Sequence, residues 1–318
     1  KIQQHFASAQ AKHPKEFNDP YWRKENLPYS GEVFMGHLRY GTYGGNSIEQ
    51  CHPFLRQNNW KNRNLLLAGN FNMTNVDELF QELVDLGQHP KKKADTVTIL
   101  EKIGHFLDEE NMELFQQLKG HGKSNQEVAD LISEKLDIQR ILKRSSKRWD
   151  GGYAMIGLLG NGDAFAFRDP AGIRPAYWYA DDEIIVVASE RPVIQTAFNA
   201  PFEEVKEITP GKALIIKSNG EFGEKEIKEP LERKACSFER IYFSRGSDAE
   251  IYRERIELGK RVTHAVLKEI DYDLDNTVLS FIPNTAEVAF YGLVKGAENY
   301  LKEQKKKDIL AKGNSLSA

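Results

Sequence analysis

The chain has 318 residues, with 40% hydrophobic and 29% charged side chains and a formal net charge of −3; this is the composition of a soluble globular protein of about two domains, not of a disordered chain. So small a charge excludes recruitment of nucleic acid or an anionic membrane by bulk electrostatics, and no apolar run reaches the roughly 20 residues that span a bilayer. The cysteines, Cys51 and Cys236, form neither a disulfide framework nor a CxxC metal site, so a reducing, cytoplasmic setting is expected.

Residues 1–31 are polar with scattered aromatics (Phe17, Tyr21, Trp22, Tyr29) and read as a surface excursion feeding a strand at Gly31–Leu38. The N-terminus has no apolar signal core and no initiator Met, which fits a fragment or a processed chain. Leu65–Ala68 reads as a short buried strand ended by an Asn-rich turn. A helix follows from Thr74 or Asn75, with Asp77 and Glu78 as capping-box partners and Val76, Leu79, Phe80 and Leu83 as its apolar stripe. Gly87 is expected to end it. A second amphipathic helix is predicted over Asp95–Leu107 with Asp95 at its N-cap, and a third helical region over Asn125–Arg148 with a basic end.

From Tyr153 the apolar period changes to two. Three hairpins are predicted: Tyr153–Leu159 with Asp163–Arg168 around Gly160-Asn161-Gly162, Ala176–Ala180 with Glu183–Ser189, and Lys212–Lys217 with Phe222–Ile227 around Asn219-Gly220. Helices supplied ahead of antiparallel strands give α+β layering. From about Lys234 the order becomes strand (Arg240–Phe243), helix (Ala249–Ile270), strand (Thr277–Pro283) and helix (Ala286–Leu301), as at the opening of a parallel α/β domain. The remaining tail is charged and then Gly/Ser-rich.

Three groups could hold a free amino acid. Arg39, in Gly36-His37-Leu38-Arg39-Tyr40-Gly41-Thr42-Tyr43-Gly44-Gly45, offers a planar fork for an α-carboxylate on a loop able to close. Asp95 offers a counter-charge for an α-ammonium. Asn70, with the backbone N–H of Phe71, offers donors for a developing oxyanion. The bland alternatives are a surface arginine, a helix cap and turn asparagines; Asn75 fits the last. His37 and His52 read as packing or loop histidines. Cys51 beside His52 makes a poor dyad, because adjacent strand residues point to opposite faces.

These motifs, in this order, resemble the class II glutamine amidotransferases: GHLRYGTYG against GHxRY(S/P)TxG, NFNMTN against NGNLTN, then Asp95, then Arg168-Asp169-Pro170-Ala171-Gly172-Ile173-Arg174-Pro175 against RDPxGIRPL. The resemblance implies an N-terminal-nucleophile hydrolase fold, an αββα sandwich, over residues 1–235. It also implies a Cys nucleophile, upstream of Lys1, whose own α-amino group is the base. Cys236-Ser237-Phe238-Glu239-Arg240-Ile241-Tyr242-Phe243-Ser244-Arg245 and then Ile251-Tyr252-Arg253-Glu254-Arg255 resemble the domain junction of the amidophosphoribosyltransferase family. Residues 236–318 are then the beginning of an α/β phosphoribosyltransferase-type domain whose phosphate loop lies beyond Ala318.

What that implies is a glutamine-dependent transfer of ammonia to phosphoribosyl pyrophosphate, the first step of purine synthesis, by a cytoplasmic homo-oligomer without nucleic-acid or membrane partners. Arg39 and Asp95 would hold glutamine, Asn70 and the Phe71 N–H the oxyanion, and Tyr40 would help gate a lid over Arg39–Gln50. Mg2+ would act in the absent part of the second domain. An iron–sulfur cluster, which some members build with a Cys matching Cys236, is not expected. The fragment alone is expected to be inactive. The alternatives are an asparagine synthetase-like amidotransferase and a non-catalytic glutamine-sensing regulator. Phe71 stands where the family has Gly; a gapped register using Ala68-Gly69 would remove the Asn amide.

Overall fold

A computed structural model describes residues 1–38, 51–90, 93–119 and 122–313. The N-terminal excursion carries two surface helices, α1 (Ile2–Lys12) and α2 (Pro20–Asn26), neither with a buried residue. Asp19 starts α2 by accepting the Tyr21 N–H at 2.9 Å, with Pro20 at the first helical position. The strand expected at Gly31–Leu38 does not form, and Val33, Phe34 and Leu38 are exposed. An extended segment becomes a strand only when another pairs with it.

The main sheet has six antiparallel strands in the order β1 (Phe54–Arg56), β2 (Leu65–Met73), β3 (Gly151–Leu159), β4 (Ala164–Arg168), β8 (Lys212–Ile216) and β9 (Phe222–Glu226). A second sheet orders β6 (Ile185–Ala188), β5 (Tyr177–Ala180) and β7 (Lys206–Glu207). The three predicted hairpins are all present.

Period two divides the main sheet between two cores. Tyr153, Met155, Phe165 and Phe167 point into a cluster with Ile99, Ile103, Leu107, Val128, Ile141 and Leu142. These come from the helical layer of α3 (Val76–Asp85), α4 (Asp95–Lys119), α5 (Asn125–Lys135) and α6 (Ile138–Ser145). The alternate residues Ala154, Ile156, Ala166, Leu214 and Ile216 meet Trp178, Ile185 and Val187 of the small sheet. On the far side, α7 (Arg191–Phe198) lays Ile194 against Tyr177, Tyr179 and Val186. The result is the α/β/β/α sandwich that the resemblance implies. Each fully buried Leu, Ile or Phe contributes about 1.5–3 kcal/mol to it.

The helical layer differs from expectation in three places. The helix from Asp95 runs on to Lys119, because Leu114, Phe115 and Leu118 continue its apolar stripe against the same core. The 125–148 region is two helices: Ser124 and Glu127 form a capping box for α5, and Asp137 restarts the chain by capping Arg140 N–H at 3.0 Å. Its arginines are committed, Arg140 to Glu110 and Glu113, Arg144 to Glu109 and Arg148 to Glu82. Finally, no capping box starts α3; the Asn75 side chain bonds the Arg148 carbonyl and the Asp150 N–H instead. Gly87 does end α3, with φ at 81° and Gln88 N–H returning to the Leu83 carbonyl.

Beyond β9 the described residues form helices and no strand. Glu239–Phe243 is one turn of π-helix where a strand was expected, closed by Ser244 N–H on the Glu239 carbonyl at 2.7 Å. Helix α8 (Ala249–Glu269) is capped by Asp248, which accepts the Glu250 and Ile251 N–H groups. Helix α9 (Glu287–Gly313) packs along it at glycines: a Cβ on Gly259 would lie 1.8 Å from the Ala289 carbonyl oxygen, and one on Gly292 2.0 Å from that of Ile256. The expected strand Thr277–Pro283 is irregular, with Val278 93% and Ile282 84% exposed. No described strand lies beside it to complete a ladder.

Candidate active site

The site grows out of the end of β2 that no described strand covers on its β1 side. Strand β1 covers β2 only as far as Leu67, opposite Phe54, whereas β2 continues to Met73. On the other side, Phe71 stands opposite Tyr153. Tyr153 turns its carbonyl to Asp169 N–H (2.8 Å) and its N–H to the Asp169 carboxylate (3.3 Å), both away from β2. Phe71 and Tyr153 are therefore a non-hydrogen-bonded pair, and the Phe71 N–H points to the open edge.

Residues of the same parity confirm the direction. Gly69 N–H reaches His52 Nδ1 at 3.2 Å, and Met73 N–H reaches Asp95 Oδ2 at 3.0 Å. The Phe71 N–H sits between these two anchors. An Nδ1 that accepts leaves the proton of a neutral imidazole on Nε2, which faces Thr96 Oγ at 3.2 Å. His52 is thus a packing histidine that holds the strand edge, its ring 6.2 Å from that of Phe71. Phe71 packs against the helical core and has no positive φ, so its backbone does not need glycine. The alternative donor, Gly69 N–H, is occupied by His52.

Asp95 is the first residue of α4 rather than its cap; Thr98 N–H bonds the Ala94 carbonyl. One of its oxygens binds Met73 N–H, which pins the helix start to the strand and leaves the other oxygen for a ligand.

Asn70 projects from the sheet face, one residue from Phe71. Its Nδ2 donates to Glu239 Oε1 at 2.7 Å, and Arg174 Nη1 donates to the same oxygen. Glu239 is 9% exposed. Arg174 is placed by the loop that starts at Arg168. There the fully buried Asp169 carboxylate accepts the N–H groups of Ala171 (3.1 Å), Ile173 (2.9 Å), Arg174 (3.0 Å) and Tyr153. Arg168, 2% exposed, donates to the carbonyls of Arg174 (2.7 Å), Ile208 (2.8 Å) and Gly172 (3.1 Å) and pairs with Glu207. Burial pushes the Tyr153 phenol well above its ordinary pKa, with the Asp169 charge adding to the effect, so it stays neutral.

The structure thus brings Asn70, the Phe71 N–H and Asp95 to one end of one strand. Arg39, Tyr40 and the expected Arg39–Gln50 lid lie outside the described residues. Glu239, Arg174 and His52 were given no such part by the sequence, although Glu239 and Arg174 stand inside the two motifs that carry the resemblance. Among the described residues no group of three or more His, Cys, Asp or Glu could hold a metal, and neither Cys51 nor Cys236 is in a disulfide.

The model for class II glutamine amidotransferases matches residues 20–237, which contain every one of these groups except Glu239. The chain belongs to that family. This amidotransferase is 25% identical to the amidophosphoribosyltransferase of Pseudomonas aeruginosa over 289 residues, 86% of its own length and 52% of the relative's. It is 28% identical to that of Archaeoglobus fulgidus (83% and 50%) and 29% identical to that of Methanocaldococcus jannaschii (80% and 50%). The chain spans about half the length of the curated relatives it matches. Among solved structures, the glutamine phosphoribosylpyrophosphate amidotransferase of B. subtilis, complexed with ADP and GMP, shares the fold with a TM-score of 0.53 at 24% identity over 82% of this chain and 49% of that one. A structure described as the allosteric regulatory enzyme of purine biosynthesis matches with the same TM-score at 25% identity, again over 82% of this chain and 49% of that one.

Proposed function

We propose that this chain is the glutamine-hydrolysing part of an amidophosphoribosyltransferase, with residues 1–235 as the amidotransferase domain and 236–318 as the start of the phosphoribosyltransferase domain. The observation that carries the reading is the spacing along β2. The Phe71 N–H and the Asp95 carboxylate at Met73 are two residues apart, about 7 Å at 3.4 Å per residue. The α-nitrogen and side-chain carbonyl carbon of extended glutamine are separated by four bonds, about 5 Å end to end at ~1.5 Å each. Glutamine therefore spans the two with a hydrogen bond at either end.

In this reading Asp95 holds the α-ammonium and Arg39 the α-carboxylate. A thiolate adds to the side-chain carbonyl, and the oxygen that becomes negative is met by the Phe71 N–H and the Asn70 amide. Ammonia leaves, and water releases glutamate. The ammonia displaces pyrophosphate from the anomeric carbon of phosphoribosyl pyrophosphate to give phosphoribosylamine. A Tyr40-assisted lid would keep water from the ammonia. Mg2+ is assigned no residue of this chain. A cytoplasmic homo-oligomer is the setting we infer, supported by the relatives' metabolic role.

The test is a glutaminase assay on the complete gene product, with and without phosphoribosyl pyrophosphate. Asp95→Asn is expected to raise the KM for glutamine at least tenfold while synthesis from free ammonia persists. An unchanged KM reduces Asp95 to a strap between α4 and β2. Absence of glutaminase activity with retained glutamine binding would favour a glutamine-sensing regulator.

A further inference from the structure

We propose that Glu239 is a positioning residue for glutamine hydrolysis, one that sets which way the Asn70 amide faces. The inference rests on the glutaminase reading above and extends it to a residue outside the antiparallel sheets. An ionised carboxylate only accepts hydrogen bonds, so the amide nitrogen of Asn70, not its oxygen, must face Glu239. Nδ2 carries two hydrogens. One goes to Glu239 Oε1 at 2.7 Å, and the other remains on the nitrogen for a developing oxyanion. A flipped Asn70 would turn its carbonyl oxygen toward Glu239 and lose that bond to repulsion between two acceptors.

Glu239 is itself held from three sides. Arg174 donates to the same oxygen. The π turn closes on the Glu239 carbonyl through Ser244 N–H. The far end of that turn is gripped by α8: Arg255, 5% exposed, donates Nη2 to the Ser244 carbonyl at 2.8 Å and to its hydroxyl at 3.2 Å. Arg240, next to Glu239, pairs with Glu254 of α8 at 2.6 Å. A displacement of α8 thus moves Glu239, and with it the Asn70 amide. π turns inserted among ordinary helical turns are frequent at functional sites; here the turn aims one carboxylate at one amide.

A Glu239 that merely shields Arg174 would affect stability, or binding and turnover together. A positioning role acts on turnover alone. In the complete gene product, Glu239→Ala is expected to lower kcat for glutamine hydrolysis about 10–100-fold, short of the loss on deleting an oxyanion donor. KM should stay within about twofold and ammonia-dependent synthesis at its normal rate, since only the transition-state contact is disturbed. Glu239→Gln, whose carbonyl oxygen still accepts from Asn70, should retain most of the activity. Glu239→Asp keeps the charge opposite Arg174 but is one methylene too short, and should lose as much as the Ala variant; it serves if Glu239→Ala does not fold. Because both residues act through one amide, Asn70→Ala with Glu239→Ala should be no slower than Asn70→Ala alone. Wild-type kcat in the Ala or Asp variant, or additive losses in the double variant, would overturn the proposal. If Asn70→Ala itself leaves kcat unchanged, it is the glutaminase reading that fails.

Discussion

The sandwich and the helix pair that follows it are held together by different means. In the sandwich, side chains of β3 and β4 enter two apolar cores, and the buried ions Arg168 and Asp169 are bonded mainly by backbone groups of the loop that follows them, with Tyr153, Ile208 and Glu207 completing the set. In the α8–α9 pair few side chains are buried; backbone meets backbone at Gly259 and Gly292, and Tyr252, Leu258 and Val262 remain exposed. The two regions are joined by polar clasps. Arg191 lies over the rings of Tyr177 and Phe202 and reaches Asp248 at the start of α8, while Glu239 bridges Asn70 and Arg174. A self-sufficient core thus carries the strand edge on which the proposed acyl transfer depends. Among the described residues the helix pair reaches that edge through bonds that a substitution can cut singly.

The largest expected effect breaks the sandwich side of this contrast. Asp169→Ala strands four backbone N–H groups and should cost about 3–5 kcal/mol in denaturant unfolding. A loss below about 1 kcal/mol would mean that the loop is held by something other than its carboxylate. Next, Gly259→Ala should force α8 from α9 at a cost of about 1–3 kcal/mol. Amide-exchange protection should fall in both helices and stay unchanged in β2, β3 and β4. A uniform loss across the chain would show that the two regions unfold as one.

The smallest effect sharpens the picture at a turn. The Asp181 carboxyl lies below its ordinary pKa because the N–H groups of Glu183 and Ile184 bond it, with Tyr179 adding to them. A depressed folded pKa gives stability that is present above the unfolded value of about 3.9 and is lost as pH falls through the folded value. Asp181→Asn should therefore flatten the acid limb of Tm against pH by lowering Tm slightly at pH 7, where the carboxylate contributes, and leaving it nearly unchanged at the acid end, where that contribution is already lost. An unaltered acid limb would dismiss the turn as a contributor.

The hairpins from Gly151 to Glu226 were legible because apolar alternation and Gly, Asn or Asp turns agree with each other over short distances. The misread strands failed for one physical reason. Ile241-Tyr242-Phe243 and Val278-Leu279-Ser280-Phe281 have β-forming side chains, but a strand also needs a neighbour, and no described strand lies beside either. Asn70, the Phe71 N–H and Asp95 could be singled out because their chemistry is local to short motifs. How they meet could not: the Asp95 bond spans 22 residues and the Asn70–Glu239 bond 169. A carboxylate just ahead of a predicted strand gives no sign that it will fold back onto an amide so far away.

The central claim is that the Met73 end of β2 is built around one amino-acid zwitterion. A crystal structure of the protein with the product L-glutamate bound tests it most directly. The account predicts the α-ammonium on Asp95 and a side-chain carboxylate oxygen within hydrogen-bonding distance of both the Phe71 N–H and Asn70 Nδ2. Glutamate bound on another surface, or seated here with its side chain pointing away from Asn70 and Phe71, would contradict it.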